Sequence, residues 1–238
     1  MSSRTILLVL SLCLISLSFS FCGKEVPTKP EGPGILRGDI DQNGTAFEKS
    51  DAEMLIAYFA EGESAFGNHV EASTEAADVN NNGSPLELAD LSFLTGVING
   101  FFDSSTPTRP STATCEIVGE YNYYEPDENG DMPDPDYGTV VYYNCQEDIA
   151  SIRFTYILYS SSSIFHVDNT HTSMDYYSYQ RNDTLIIVAN SLDGKVFLQH
   201  QYALALLLGG VYPQIIGVEV ANKNGATVPS SFRKVINH

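Results

Sequence analysis

At 238 residues the chain is longer than one typical domain of roughly 100 to 200 residues, so it admits two modest domains. Asp and Glu outnumber Lys and Arg 30 to 12, and the formal charge of -18 repels phosphate backbones and anionic headgroups, excluding nucleic acid as a partner. With 43% hydrophobic and only 18% charged residues, much of the polarity comes from Ser, Asn, Thr and Gly, the mixture of a secreted β-rich protein.

After Arg4, the stretch Ile6 to Phe21 is uncharged and mostly apolar. It is long enough for the core of an export signal and short of the ~20 residues that span a bilayer. Residues 1–22 are therefore expected to be a signal. Cys22, Gly23 and Lys24 follow directly, and the arrangement resembles the lipobox of bacterial lipoproteins. The resemblance implies Cys22 as a lipid anchor, a secreted protein held at the outer membrane or cell surface of a bacterium, and membrane contact only through that anchor. The alternative is simple secretion with cleavage elsewhere. Residues 23–34, rich in Pro, Gly and charge, read as a disordered tether.

Cysteine usage agrees with export. Cys13 and Cys22 belong to the leader, which leaves Cys115 and Cys145 as the pair in the folded part. In an oxidising compartment they are expected to bond, two reduced buried thiols being the alternative. Neither has a second Cys or a His within a few residues, which argues against a metal site there.

A repeat lies in the first half. Asp39 to Asp51 can be laid over Asp78 to Asp90 without a gap, at a period of 39 residues. Oxygen-bearing side chains hold the first, third and fifth places (Asp39, Asp41, Asn43; Asp78, Asn80, Asn82), Gly44 or Gly83 the sixth, Thr45 or Ser84 the seventh, and an acid closes each loop. A hard cation with 6 to 8 oxygen ligands needs such alternation, and only Gly takes the sharp turn easily. Compared with an EF-hand loop, Phe47 and Leu86 fall at nine instead of eight, and Asp51 and Asp90 at thirteen instead of twelve. One extra residue just after each glycine explains both shifts and leaves Glu48 and Glu87 as water-bridging ligands. The expected cofactor is two Ca²⁺ ions.

Each loop runs into a helix. Ser50 and Glu53 have capping-box spacing, with Leu55, Ile56, Tyr58 and Phe59 as the apolar stripe up to Gly62; Leu91, Leu94, Val97 and Ile98 form the second stripe, stopped by Gly100. One stripe per helix implies that the two pack on each other. The positions off the stripes, Lys49, Glu53 and Ala57 in the first helix and Ser92, Thr95 and Asn99 in the second, are the surface such a pair has to present. Between the copies, Glu63 to Ala77 reads as a polar connector in which His69 has a surface role.

On Gly38 to Gly44 and Asp78 to Gly83, each leading to an acid and a Leu-rich helix, residues 35–103 resemble a dockerin. This is the paired calcium-loop module that plugs into cohesin domains of bacterial cell-surface and polysaccharide-degrading assemblies. The resemblance implies a small all-α helical pair and a cohesin-like protein partner. Asn43 and Asn82 also match the glycosylation sequon, but are better used as ligands.

Residues 104–114, nearly all Ser, Thr and Pro, read as a linker. Residues 115–238 read as strands at Glu116 to Tyr124, Thr139 to Asn144, Ile149 to Tyr159, Ser163 to Val167, Thr184 to Asn190, part of Lys195 to Leu208, Ile215 to Ala221 and Ser231 to Ile236. Together they predict an antiparallel β-sandwich. Tyr202 to Leu208 suits helix or buried strand, and its length favours strand. By pattern alone, in Asp148 to Tyr156, Asn182 to Gly194 and Gly217 to Pro229, this half resembles the cohesin-like and carbohydrate-module-like jelly rolls found beside dockerins. The predicted whole is a multidomain α and β chain.

No catalytic signature occurs, and His166 and His171 lie on opposite faces of a regular strand. Asp127 to Asp136 reads as a solvated acidic hairpin loop, or as a third cation site. The tyrosines of Tyr121 to Tyr124 and Tyr176 to Tyr179 read as sheet aromatics, or as platforms for sugar rings. The functional expectation is a non-catalytic, calcium-dependent protein interaction module. A carbohydrate-binding sandwich with a merely structural calcium pair is the alternative.

Overall fold

The computed structural model describes residues 34–122, 139–157, 164–168, 174–197, 202–209 and 214–237. Cys22 and the leader, the acidic segment Asp127 to Asp136, and His171 lie outside them. Among the described residues no helix is long and apolar enough to cross a membrane.

Each acidic loop starts a helix through its own acids. Glu48 is extended at the N-cap of α1 (Lys49–Glu61) and donates its N–H to Asp51 Oδ2 at 2.9 Å. Glu87 does the same toward Asp90 ahead of α3 (Leu88–Ile98), also at 2.9 Å. The capping box therefore lies at Glu48 and Asp51, not at Ser50 and Glu53, because the loop-closing acid already points back at the backbone that precedes the helix. Gly62 ends α1 at φ 71°, a turn that costs a residue without a Cβ nothing. The connector is less purely polar than its sequence predicts. It holds a 3-10 turn (Gly62–Phe66) and the short α2 (Val70–Ala76), because Phe66 is buried with its ring stacked on Tyr58 at 5.2 Å. His69 is exposed, as expected.

Among the described residues nine strands follow: β1 (Cys115–Asn122), β2 (Thr139–Cys145), β3 (Ile149–Ile157), β4 (Ile164–Asp168), β5 (Asp175–Arg181), β6 (Thr184–Asn190), β7 (Tyr202–Gly209), β8 (Gln214–Asn222) and β9 (Ser230–Asn237). They form two sheets, in the order β4-β7-β2-β1-β9 and β5-β6-β3-β8. Tyr202 to Leu208 is strand, pairing with β2 and β4. All pairings are antiparallel except β1 with β9, which run parallel, a departure from the wholly antiparallel sandwich predicted. The sequence reading has no strand at β5. Its residues are largely exposed and polar, because an edge strand need bury only part of one face.

The space between the sheets is filled by alternate residues. From one side come Ile117, Val141 and Tyr143; from the other come Ile152, Phe154, Tyr156, Leu185, Ile187, Ala189 and Val220. Cys115 and Cys145 face one another across β1 and β2 with their Cα atoms 4.1 Å apart and are bonded. Much of the outward face of β6, β3 and β8 is not left to solvent. Val188 and Ala221 belong to the same apolar cluster as Leu55, Phe59, Leu91, Phe93 and Leu94, with Tyr177, Ile186 and Leu192 packed against it. Helices α1 and α3 touch each other, and they also lie on that sheet, α1 over β5 and β6 and α3 over β3 and β8. Burial on both faces explains why α3 is covered on every side from Leu88 to Gly96 and why β6 reads as a nearly continuous apolar run. Residues 104–114 connect the halves without helix or strand, and both halves lie in one compact unit, Ile35–His238.

Candidate metal centre and helix–sheet interface

The sequence repeat is also a backbone repeat. Left-handed φ values recur 39 residues apart: Gln42 (59°) with Asn81 (56°), Gly44 (94°) with Gly83 (86°), and Phe47 (61°) with Leu86 (67°). For Phe and Leu such a φ costs of order 1 kcal/mol, so the surroundings must enforce it. The residue added after each glycine gives the loop this second turn. In the first copy the Phe47 ring then lies so close over Gly38 that a Cβ there would come within 2.8 Å of it.

The hydrogen bonds repeat as well. Asp39 accepts from the Gly44 N–H (3.1 Å to Oδ2), and Asp78 accepts from Gly83 (3.1 Å). Asn43 Oδ1 accepts from Thr45 N–H and Asn82 Oδ1 from Ser84 N–H, both at 2.8 Å. The amides of Asn43 and Asn82 donate to Glu48 (3.2 Å) and Glu87 (3.1 Å). The closing acids are fully buried. Asp51 Oδ1 accepts from Ile40 N–H at 2.7 Å, and Asp90 Oδ1 from Asn80 N–H at 3.4 Å. Burial pushes the Asp51 carboxyl up, against the backbone N–H groups of Glu48, Asp41 and Ile40, with the Asp41 charge adding to the rise. Burial pushes Asp90 up to about 7, opposed by the N–H groups of Glu87 and Asn80 and aided by the charges of Asp78 and Glu87. Both loops thus hold carboxylates in places where a charge lacks compensation.

The donor set suits a hard divalent cation. One carboxylate oxygen each from Asp39, Asp41 and Asp51 lies within 4.8 Å of the others, which groups three hard oxygen donors on one side of the loop. In the second loop the same places are held by Asp78, Asn80 and Asp90, one acid fewer. Thr45, Ser84, Glu48 and Glu87 sit at the loop rims, where their observed bonds close turns and start helices.

Part of the off-stripe helix surface meets the rest of the chain, while Glu53 stays exposed. Lys49 Nζ pairs with Asp193 at 3.0 Å, and that pairing holds the Asp193 carboxyl below its usual range. Asn99 donates to the Leu192 carbonyl at 3.0 Å. Ser92 Oγ meets Ser151 Oγ at 2.7 Å in full burial, and Asn190 Nδ2 donates to the same Ser151 hydroxyl at 2.6 Å. Arg153 lies over the Phe59 ring at 5.1 Å and pairs with Glu219. Lys49, Ser92 and Asn99, read from sequence as surface for a partner, therefore meet the chain's own sheet. Sequence alone did not single out Ser151 or Asn190, and it marked Asp193 only as part of an Asp-Gly hairpin turn; Ser92, in a mostly apolar helix, is the trace they leave. Ser151→Ala is expected to cost about 1 to 2 kcal/mol in urea denaturation, because Ser92 and Asn190 each lose a buried partner.

No protein-family model matches the chain, and no curated protein does. Among solved structures it is similar to a non-cellulosomal cohesin from the hyperthermophilic archaeon Archaeoglobus fulgidus, at 10% identity and a TM-score of 0.34, over 54% of this chain and 93% of that one.

A cleft of about 440 Å³ opens where the end of α1 meets the sheet, lined by Tyr58, Arg153, Tyr179 and Arg181 among others. Of the tyrosines read as possible sugar platforms, Tyr176 packs against the sandwich core, Tyr177 against the helical cluster, and Tyr179 on this cleft.

Proposed function

We propose that the chain is a non-catalytic, exported, calcium-dependent protein interaction module of dockerin-like type, joined to a cohesin-like sandwich and anchored at a bacterial surface through Cys22. The observation that supports this most is the coincidence of the two loops, 39 residues apart, in both left-handed positions and side-chain hydrogen bonds, with three carboxylates grouped in the first of them. Unrelated Asn-Gly turns have no reason to agree at so many points. Two calcium ions neutralise the acids of the loops and fix the helix starts. The helices then present a rigid face to a β-sheet.

The sheet they meet is the chain's own, so its first docking partner is internal, and an outside cohesin-like protein competes for the same helix face or adds to it. Calcium affinity belongs near the ~10⁻⁴ to 10⁻³ M of extracellular modules, since Asn at several ligand places lowers the charge. At ten times Kd each ion stabilises the folded chain by roughly 1.4 kcal/mol through mass action. Thermal melting of the full chain followed at 222 nm is expected to rise on moving from chelator to millimolar calcium. An unchanged midpoint sinks the calcium reading. A second reading, glycan binding by the sandwich, is favoured only by the cleft at Tyr179, and a glycan array probed with the full chain decides it.

A further inference from the structure

The two loops differ at the third place, and the structure gives that difference a location. Asp41 is half-buried and accepts from the N–H and the amide of Asn43, at 3.1 and 2.9 Å. Asn80 is 4% exposed, and all four of its polar groups are engaged. Its N–H donates to Asp90 (3.4 Å), its carbonyl accepts from Thr108 Oγ1 (3.3 Å), and its Oδ1 accepts from Asn82 N–H (3.1 Å). Its Nδ2 crosses to the sandwich and donates to the Gly225 carbonyl at 3.1 Å. Gly225 sits in the turn between β8 and β9, which Asn222 stiffens by accepting the N–H groups of Asn224, Gly225 and Ala226. The turn leaves no slack: a Cβ on Gly225 would come within 2.5 Å of Phe93 in α3.

We propose that Asn80 is a latch through which calcium occupancy of the second loop and seating of the helices on the sandwich stabilise each other. An amide does what a carboxylate here cannot. Its oxygen belongs to the loop and retains a lone pair for an ion, while its nitrogen supplies the donor that the Gly225 carbonyl accepts. An Asp would carry more charge toward the ion but set one carboxylate oxygen against a carbonyl. An ion held by Oδ1 fixes the Asn80 side chain, and a fixed side chain keeps the Nδ2 bond without a further loss of rotamer freedom. Linkage then requires the reverse effect of equal size, in which the sandwich raises the calcium affinity of the second loop. The first loop, whose third place does not reach the sandwich, has no such coupling. The inference rests on the calcium reading above.

The test uses the full chain and calcium alone. The Gly44 and Gly83 amide resonances report the two loops separately, since each N–H points at its own loop's first aspartate. Hydrogen exchange at Gly225 and Ala226 reports the turn. Wild-type protein is expected to slow exchange at the turn about tenfold on calcium saturation. Asn80→Asp, brought to saturation of its own Gly83 shift whatever calcium that requires, is expected to lose that slowing. Gly225→Ala, altered on the sandwich side at φ 72°, is expected to weaken calcium binding roughly fivefold to tenfold at Gly83 and not at Gly44. If Gly83 titrates with calcium while the turn exchanges at one rate throughout, or if Asn80→Asp keeps the slowing, the latch is overturned and the calcium reading stands. If neither glycine responds to calcium, the calcium reading fails and the latch with it.

Discussion

Phe93→Ala is expected to destabilise the full chain by about 3 to 5 kcal/mol, a large part of the 5 to 15 kcal/mol typical of a folded domain. Phe93 is 1% exposed and sits where three surfaces meet. Its ring lies 5.0 Å from that of Phe102, its Cβ and Cα lie over Gly225, and its cluster includes Val188 and Ala221 of the sheet together with Leu91 and Leu94 of its own helix. Removing the ring opens a cavity that rigid strands on one side and a second helix on the other cannot close. Phe93→Leu, which keeps most of the volume, should cost clearly less. Urea unfolding followed at 222 nm and by tyrosine near-ultraviolet dichroism checks this. A cost below about 1 kcal/mol for Phe93→Ala means that the helices are not seated on the sheet, and both the internal docking and the latch would fall with it.

Reduction of the Cys115–Cys145 bridge is the second large effect. The two residues are 30 apart in sequence. Closing a loop of that length removes about 3 to 4 kcal/mol of chain entropy from the unfolded state. The bridge joins β1 and β2 in register, directly opposite one another, and also closes the loop that carries the Asp127 to Asp136 segment. A melting midpoint lowered by many degrees in reductant is the expected result, with the largest loss in the sandwich signal. Mass spectrometry that finds both thiols free in protein purified without reductant would remove the bridge from the account.

Sequence alone carried the local features a long way. The alternation of oxygen side chains with a sixth-place glycine marked both loops, because a turn that curls around a point needs inward oxygens and one residue free of Cβ strain. Gly62 and Gly100 marked the helix ends for the same reason, and the β-branched and aromatic run from Ile149 marked β3, whose inner face the structure assigns to Ile152, Phe154 and Tyr156. Long-range pairing was not legible. Whether β1 meets β9 in parallel depends on the path of a chain more than 100 residues long, and β5 left no apolar pattern because an edge strand buries so little.

The helix–sheet interface belongs to the same class. Lys49, Ser92 and Asn99 look in sequence like ordinary polar positions on an exposed helix face. Only the fold places Asp193, Ser151 and the Leu192 carbonyl opposite them. Asn80 shows the division most sharply. That it holds the third place of a repeated acidic loop follows from a local pattern, which chain geometry over a few residues enforces. That its amide nitrogen holds Gly225, 145 residues away, was decided by tertiary structure alone, because burial on both sides of α3 is what brings that carbonyl within reach.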